Sequence, residues 1–189
     1  YRLQNYLQLR ASWSTGFRAP QAFDADMHIA FAGGGVSRVR LAEDLKEERS
    51  NSFSASLNYD RANETFIAGF TLEGFYTNLN DAFVLVEAEE DEFGLIYDKV
   101  NSEGSLVKGV VIELRANYNR RIQLETGITL QQSEFKEEVA YSMDLPAEKK
   151  YLRTPDNYGY YTLTYTPEGA FSASLSGVYT GSMKVLHVA

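Results

Sequence analysis

The chain has 189 residues, 44% of them hydrophobic, with Tyr and Phe abundant at 13 and 11 and Pro scarce at 4, a balance that favours strands over helices and over disorder. A net charge of −8 argues against a broad nucleic-acid surface, and the absence of cysteine removes disulfides, thiolate metal sites and thiol nucleophiles together. With a mean hydropathy of −0.32 and no run near the roughly 20 apolar residues of a spanning helix, a helical membrane protein is excluded.

Period-two alternation predicts about seven strands. The first covers 3–14, where Leu7, Leu9, Ala11 and Trp13 oppose Tyr6, Gln8, Arg10 and Ser12. The second covers 47–59, with Phe53, Ala55, Leu57 and Tyr59 opposing Ser52, Ser54, Ser56 and Asn58. A third starts near 65 and sets Phe66, Ala68, Phe70, Leu72 and Tyr76 against Gly69, Thr71, Glu73 and Thr77. The fourth is long, 94–118, with Gly104 or Gly109 as a place for a bulge. The fifth covers 122–135, and the last two flank the TPEG turn in NYGYYTLTYTPEGAFSASLSGVYTG, 157–181. Helical periodicity competes only over 41–49. Both ends interrupt an alternating pattern, so the chain reads as a piece of a longer one.

The connections alternate in length. Those at 16–45 and 136–155 are long and the acidic stretch EAEEDE, 87–92, is intermediate, whereas those at 60–64, 119–121 and 167–169 are short. One rim of the sheet therefore carries tight turns and the other extended loops, as in bacterial outer-membrane barrels.

Aromatic residues indicate which face meets lipid. Tyr59, Tyr118 and Tyr165 stand on the apolar face beside the short turns, and Trp13, Tyr76 and Tyr179 stand toward the long loops. Phe66 and Tyr76 are ten residues apart on one strand, which at the usual rise and tilt is about 25 Å, the height of a lipid-facing band. The other face carries Arg10, Glu73, Glu113, Arg115 and Glu125 among Ser, Thr, Gln and Gly, as a wet or plugged lumen would. A soluble, secreted β-sandwich acting as a binding or adhesion module shares the alternation but gives no reason for tyrosines at fixed depth. A passive porin-like channel is a further alternative.

STGFRAP (14–20), a long loop and then LKEERSNSFSASL (45–57) resemble the barrel of TonB-dependent outer-membrane receptors, with Glu47 where that family usually has Pro. FYTNLNDAF (75–83) and KGVVIEL (108–114) are similar to two further family strands, the latter with one extra residue between Val and Glu. Residues 154–183, ending YTGSM, resemble Bacteroidetes-type members, and LHVA (186–189) stands where they have a Pro-His-Tyr-Ala segment, with Leu186 and Val188 as departures. The resemblance implies an all-β fold: antiparallel up-and-down strands forming part of a 22-stranded transmembrane β-barrel, in the C-terminal half of that barrel. Residues 1–189 would supply about seven strands, with the plug domain and the final strands outside the sequence. It further implies energised uptake of an iron-siderophore, haem or cobalamin. The implied partners are outer-membrane lipid, the plug of the same polypeptide, TonB through the missing N-terminal part, and a small-molecule or metal-chelate ligand.

Candidate ligand contacts lie in the long loops: His28, Arg38, Arg40 and Tyr141. The two arginines offer charge-assisted donors to anionic chelates, although a solvated or loop-bracing role suits each residue. His187 is a second loop histidine. EAEEDE lacks calcium-loop spacing and reads as a solvated acidic tip. Glu113 and Glu125 pair on the lumen face without a visible pocket, with Arg10 and Arg115 to balance them, and no Ser is framed as a nucleophile. No enzyme, no metal site and no cofactor is expected.

Overall fold

The computed structural model describes residues 2–4, 6–20, 38–91, 94–139, 147–169 and 171–185. Twelve strands lie among them. β1 (Arg2–Gln4), β2 (Leu7–Arg18), β4 (Glu48–Ala62), β5 (Phe66–Asn80), β8 (Ser105–Tyr118), β9 (Ile122–Val139), β11 (Asn157–Tyr165) and β12 (Ala173–Thr180) form one antiparallel sheet in that order, and β10 (Glu148–Lys150) adds to β9. A second sheet places β7 (Gly94–Asn101) between β3 (Arg38–Leu41) and β6 (Phe83–Asp91).

The large sheet is an up-and-down wall whose register keeps every outward row together. Trp13 pairs with Phe53, Phe53 with Tyr76, and two rows inward on the same face Leu9, Leu57, Leu72, Ile112 and Ile128 align across five strands. A slip of one residue would turn all of these to the lumen, so the apolar and polar faces together fix the pairing. Tyr6 meets Tyr59 edge-on at 5.7 Å beside the short turns, and Trp13 stacks on Phe53 at 6.2 Å toward the long loops.

Among the described residues, no second layer covers either face of this sheet. Trp13 is 65% exposed, Phe53 52% and Leu175 60%, and among the described residues the only buried hydrophobic side chain is Ala82. A two-sheet sandwich would bury these rows, so the described residues do not form one. They form an open antiparallel wall with one apolar face.

The turns on the short side are chemically specified. Asn119 and Arg120 both take left-handed backbone, with φ of 52° and 58°, and the Arg121 N–H donates to the Tyr118 carbonyl at 3.0 Å, a hairpin turn matched to strand twist. Asn63 closes the turn into β5 by accepting the N–H groups of Thr65 and Phe66 on its side-chain oxygen.

Several expected boundaries move. Residues 3–14 are not one strand: β1 folds back on β2, which runs on to Arg18. The span 94–118 divides into β7 and β8 at Gly104, whose φ of +99° only glycine adopts easily. Gly109 sits in regular register, paired with Phe75 and Gln131, and marks no bulge. Glu87, Glu89, Glu90 and Asp91 of the acidic run lie in strand β6 rather than at a loop tip. No helix forms over 41–49, which holds a turn and the start of β4.

Candidate functional site

The long-loop rim is where the two sheets join. β5 ends at Asn80, Asp81 turns the chain with a φ of 54°, and the β6–β7 hairpin then rises before the chain re-enters the wall at Gly104. A Cβ at Gly104 would collide with the Leu79 carbonyl oxygen, so the return is possible only with glycine. Asn101 ties the base together. Its Nδ2 donates to the carbonyls of Lys46 and Asp81 at 2.9 and 2.6 Å, and its Oδ1 accepts the Lys46 N–H at 2.7 Å. The Glu48 carboxylate accepts the Phe83 N–H at 2.6 Å and lies 3.6 Å from the Arg18 guanidinium.

Two cations embrace Phe83. Lys99, only 4% exposed, holds its Nζ 4.7 Å from the ring centroid, and the Arg18 guanidinium carbon lies 5.6 Å away. Burying an ammonium is costly unless it is compensated, and the ring face supplies part of that compensation.

The opposite face of the hairpin carries Arg40. β3 pairs in parallel with β7, placing Arg40 opposite Asp98. Nε donates to Oδ1 at 2.6 Å and Nη2 to Oδ2 at 2.9 Å, while Nη1 donates to Glu89 at 2.9 Å. The guanidinium holds the Asp98 carboxyl below its ordinary range, chiefly through the hydrogen bond, and Asp98 raises the already high pKa of Arg40 in return. Of the five N–H donors of an arginine, three are thus committed, and among the described residues no acceptor takes the other two.

The third long connection is anchored too. Lys184 pairs with Glu148, Lys150 with Asp156 at 2.6 Å, and Phe135 packs against Tyr151 at 4.4 Å. Hydrogen bonding to Lys184 keeps the Glu148 carboxyl acidic.

On the lumen face, Arg115 reaches across β5 to Asp60, with Nη2 and Nε at 2.6 and 3.0 Å from Oδ1, and its Nη1 donates to Thr71 at 3.2 Å. The crossing passes over Gly69, where any Cβ would strike both partners. Glu113 stands opposite Gly127 in register and accepts the Tyr160 hydroxyl at 3.4 Å; Glu125 stands opposite Arg115 but accepts from Gln123 at 2.7 Å. Arg10 donates to Gln8 at 2.9 Å. Arg115 therefore balances Asp60, which had read as part of a turn, rather than the two glutamates.

Of the residues expected to meet ligand, His28 and Tyr141 lie outside the described residues, as does His187. Arg38 begins β3 opposite Ile96, and Arg40 is the one whose side chain is placed. Glu48, Phe83, Lys99 and Asn101 organise the rim without having been singled out. The contacts of Glu48 with Phe83 and of Asn101 with Lys46 span 35 and 55 residues, which leaves no local pattern to read. Among the described residues no group of three or more His, Asp or Glu could hold a metal ion.

The family model described as TonB dependent receptor-like, beta-barrel matches residues 1–186. The chain belongs to this family. TonB-dependent receptors are outer-membrane transporters of Gram-negative bacteria, not enzymes, and this chain is a portion of such a barrel. Two solved structures are similar over 95% of the chain. Both are variants of the FrpB iron transporter from Neisseria meningitidis: F3-3, with a TM-score of 0.61 at 18% identity, and F5-1, with 0.66 at 16%. The chain spans about a quarter of the length of each, 25% and 26%. No curated protein matches.

Proposed function

We propose that this TonB-dependent receptor segment is part of an importer that takes up a scarce chelate. The single observation carrying the reading is the uncovered apolar wall, bounded by aromatic rows and crowned on one side only by loops tied to each other. That arrangement suits a barrel open to the outside for capture and sealed by lipid around it. An iron-siderophore is the favoured ligand, with haem and cobalamin as the other members of the class. The iron transport named for the FrpB structures supports the choice of iron.

His28, Arg38, Arg40 and Tyr141 would contact the ligand from the long loops. Arg40 would do so through the two N–H groups that Asp98 and Glu89 leave free. The lumen face, with Glu73, Glu113 and Glu125, would meet a plug from the same polypeptide, and TonB would engage a segment outside this sequence. The YTGSM stretch, 179–183, supports a Bacteroidetes-type member.

The test is growth of a host lacking its own importers. The full-length gene should restore growth on one ferric chelate, haem or cobalamin supplied as sole source, and deleting TonB should abolish the rescue. Rescue that persists without TonB would instead indicate a passive channel.

A further inference from the structure

The outward face contains a recess that the lipid-facing role does not by itself require. Three rows lie in register across β2, β4, β5 and β8. The row nearest the long loops reads Trp13, Phe53, Tyr76, Lys108; the next reads Ala11, Ala55, Gly74, Val110; the third reads Leu9, Leu57, Leu72, Ile112. Side-chain bulk disappears in the middle row over three adjacent strands. The result is an open groove of about 600 Å³ whose lining includes Ala11, Phe53, Ala55, Gly74, Tyr76 and Lys108.

Gly74 is not demanded by the backbone. A Cβ there would meet nothing within 4 Å, and its φ is not positive. Its effect is to leave space beneath the aromatic row. Lys108 is a second, separate feature. It occupies the fourth place in that row, next to Tyr76, on a strand whose outward face is otherwise Val110, Ile112 and Leu114. It is exposed and finds no carboxylate partner among the described residues. A lysine facing lipid is costly at mid-bilayer and tolerated near the headgroups, where an anionic group can meet its charge.

We propose that this groove binds a phosphorylated glycolipid of the outer leaflet, with an acyl chain lying over Ala11, Ala55 and Gly74 and a phosphate on the Lys108 ammonium. The choice of lipid rests on charge complementarity and depth: the cation stands level with the aromatic row on the long-loop side, the outer side of the membrane. The inference rests on the outer-membrane reading above, and one experiment separates the two.

Full-length receptor is extracted in mild detergent, stripped of lipid and titrated with purified lipid A, with bound lipid counted by native mass spectrometry. Heat-modifiable migration is recorded for every sample. Wild type should retain lipid A. Lys108→Gln should weaken retention about fivefold, the effect of one cation at an anionic surface, and Gly74→Leu should weaken it by filling the recess. Lys108→Arg should restore it, and Lys149→Gln, outside the groove, should leave it unchanged. Equal retention by all variants, or preference for a zwitterionic phospholipid, overturns the proposal while heat-modifiable migration keeps the barrel intact. Loss of heat-modifiable migration in wild type would overturn the membrane reading and the groove with it.

Discussion

Arg40 and Asp98 are 58 residues apart and face each other across a parallel strand pair, with both carboxylate oxygens engaged by one guanidinium edge at 2.6 and 2.9 Å. The connection between β2 and β4 is thereby latched to the hairpin between β5 and β8. Planar bidentate pairing makes arginine hard to replace here, since lysine offers one point charge and no fork.

Arg40→Lys should therefore loosen the latch nearly as much as Arg40→Gln. In full-length receptor, amide hydrogen exchange over 38–41 should rise roughly two- to fivefold in either variant, as expected for an exposed pair, with β5 and β8 unaffected. Unchanged exchange in both would mean that the strand pairing holds without the ion pair.

Acid should open the same latch. The hydrogen bond from Arg40 depresses Asp98 below its ordinary value of 3.8. A depressed carboxyl contributes stability that is complete above its ordinary value and is lost as pH falls through the lowered one. Spin labels at Glu43 and Leu85 should report a fixed separation at neutral pH that broadens only below pH 3.8. Asp98→Asn should broaden it at every pH.

Gly104 sets the return of the hairpin into the wall. Gly104→Ala combines a φ of +99° with a collision on the Leu79 carbonyl, a strain of about 1–3 kcal/mol before the clash is counted. The measurement is the midpoint of urea unfolding in vesicles, which should fall; Gly169→Ala, with nothing within 4 Å of its Cβ, should lower it less.

The Arg115–Asp60 bridge is partly exposed, at 41% and 60%. On its own wall it is worth at most about 1 kcal/mol. Asp60→Asn should change vesicle stability by no more than that when the plug is removed from the full-length gene. A larger loss with the plug present would show that the plug leans on this pair.

Much of the wall was legible because each strand repeats the lipid–lumen contrast. Phe53, Ala55 and Leu57 against Ser52, Ser54 and Ser56 fix both the strand and its faces, and Tyr59, Tyr118 and Tyr165 mark a depth. Alternation does not mark where a strand ends. The strand expected over 3–14 took in the fold-back of β1 on β2, and that over 94–118 took in both β7 and β8, which the backbone of Gly104 separates. The acidic run could enter β6 because β6 belongs to the second sheet and not to the wall, so its residues do not have to supply the wall's apolar face. Arg40 read as a donor to an anion or as a solvated or loop-bracing residue, with no acceptor named, because its acceptors come from another loop and pairing between distant loops has no periodicity. The resemblance carried by GFRAP and the strands after it pointed to the family that residues 1–186 match, and it could not supply these contacts.

Leu175 and Ser176 are neighbours on β12 that face opposite sides of the wall, with Leu175 aligned to Leu163 and Ser176 to Thr162. Arginine placed at each in turn, with unfolding free energy measured in lipid vesicles on the full-length receptor, tests the assignment of faces most directly. Leu175→Arg should cost about 2–4 kcal/mol because it sets a charge in mid-bilayer, and Ser176→Arg should cost little. A tolerated arginine at 175 together with a strongly destabilising one at 176 would contradict the account.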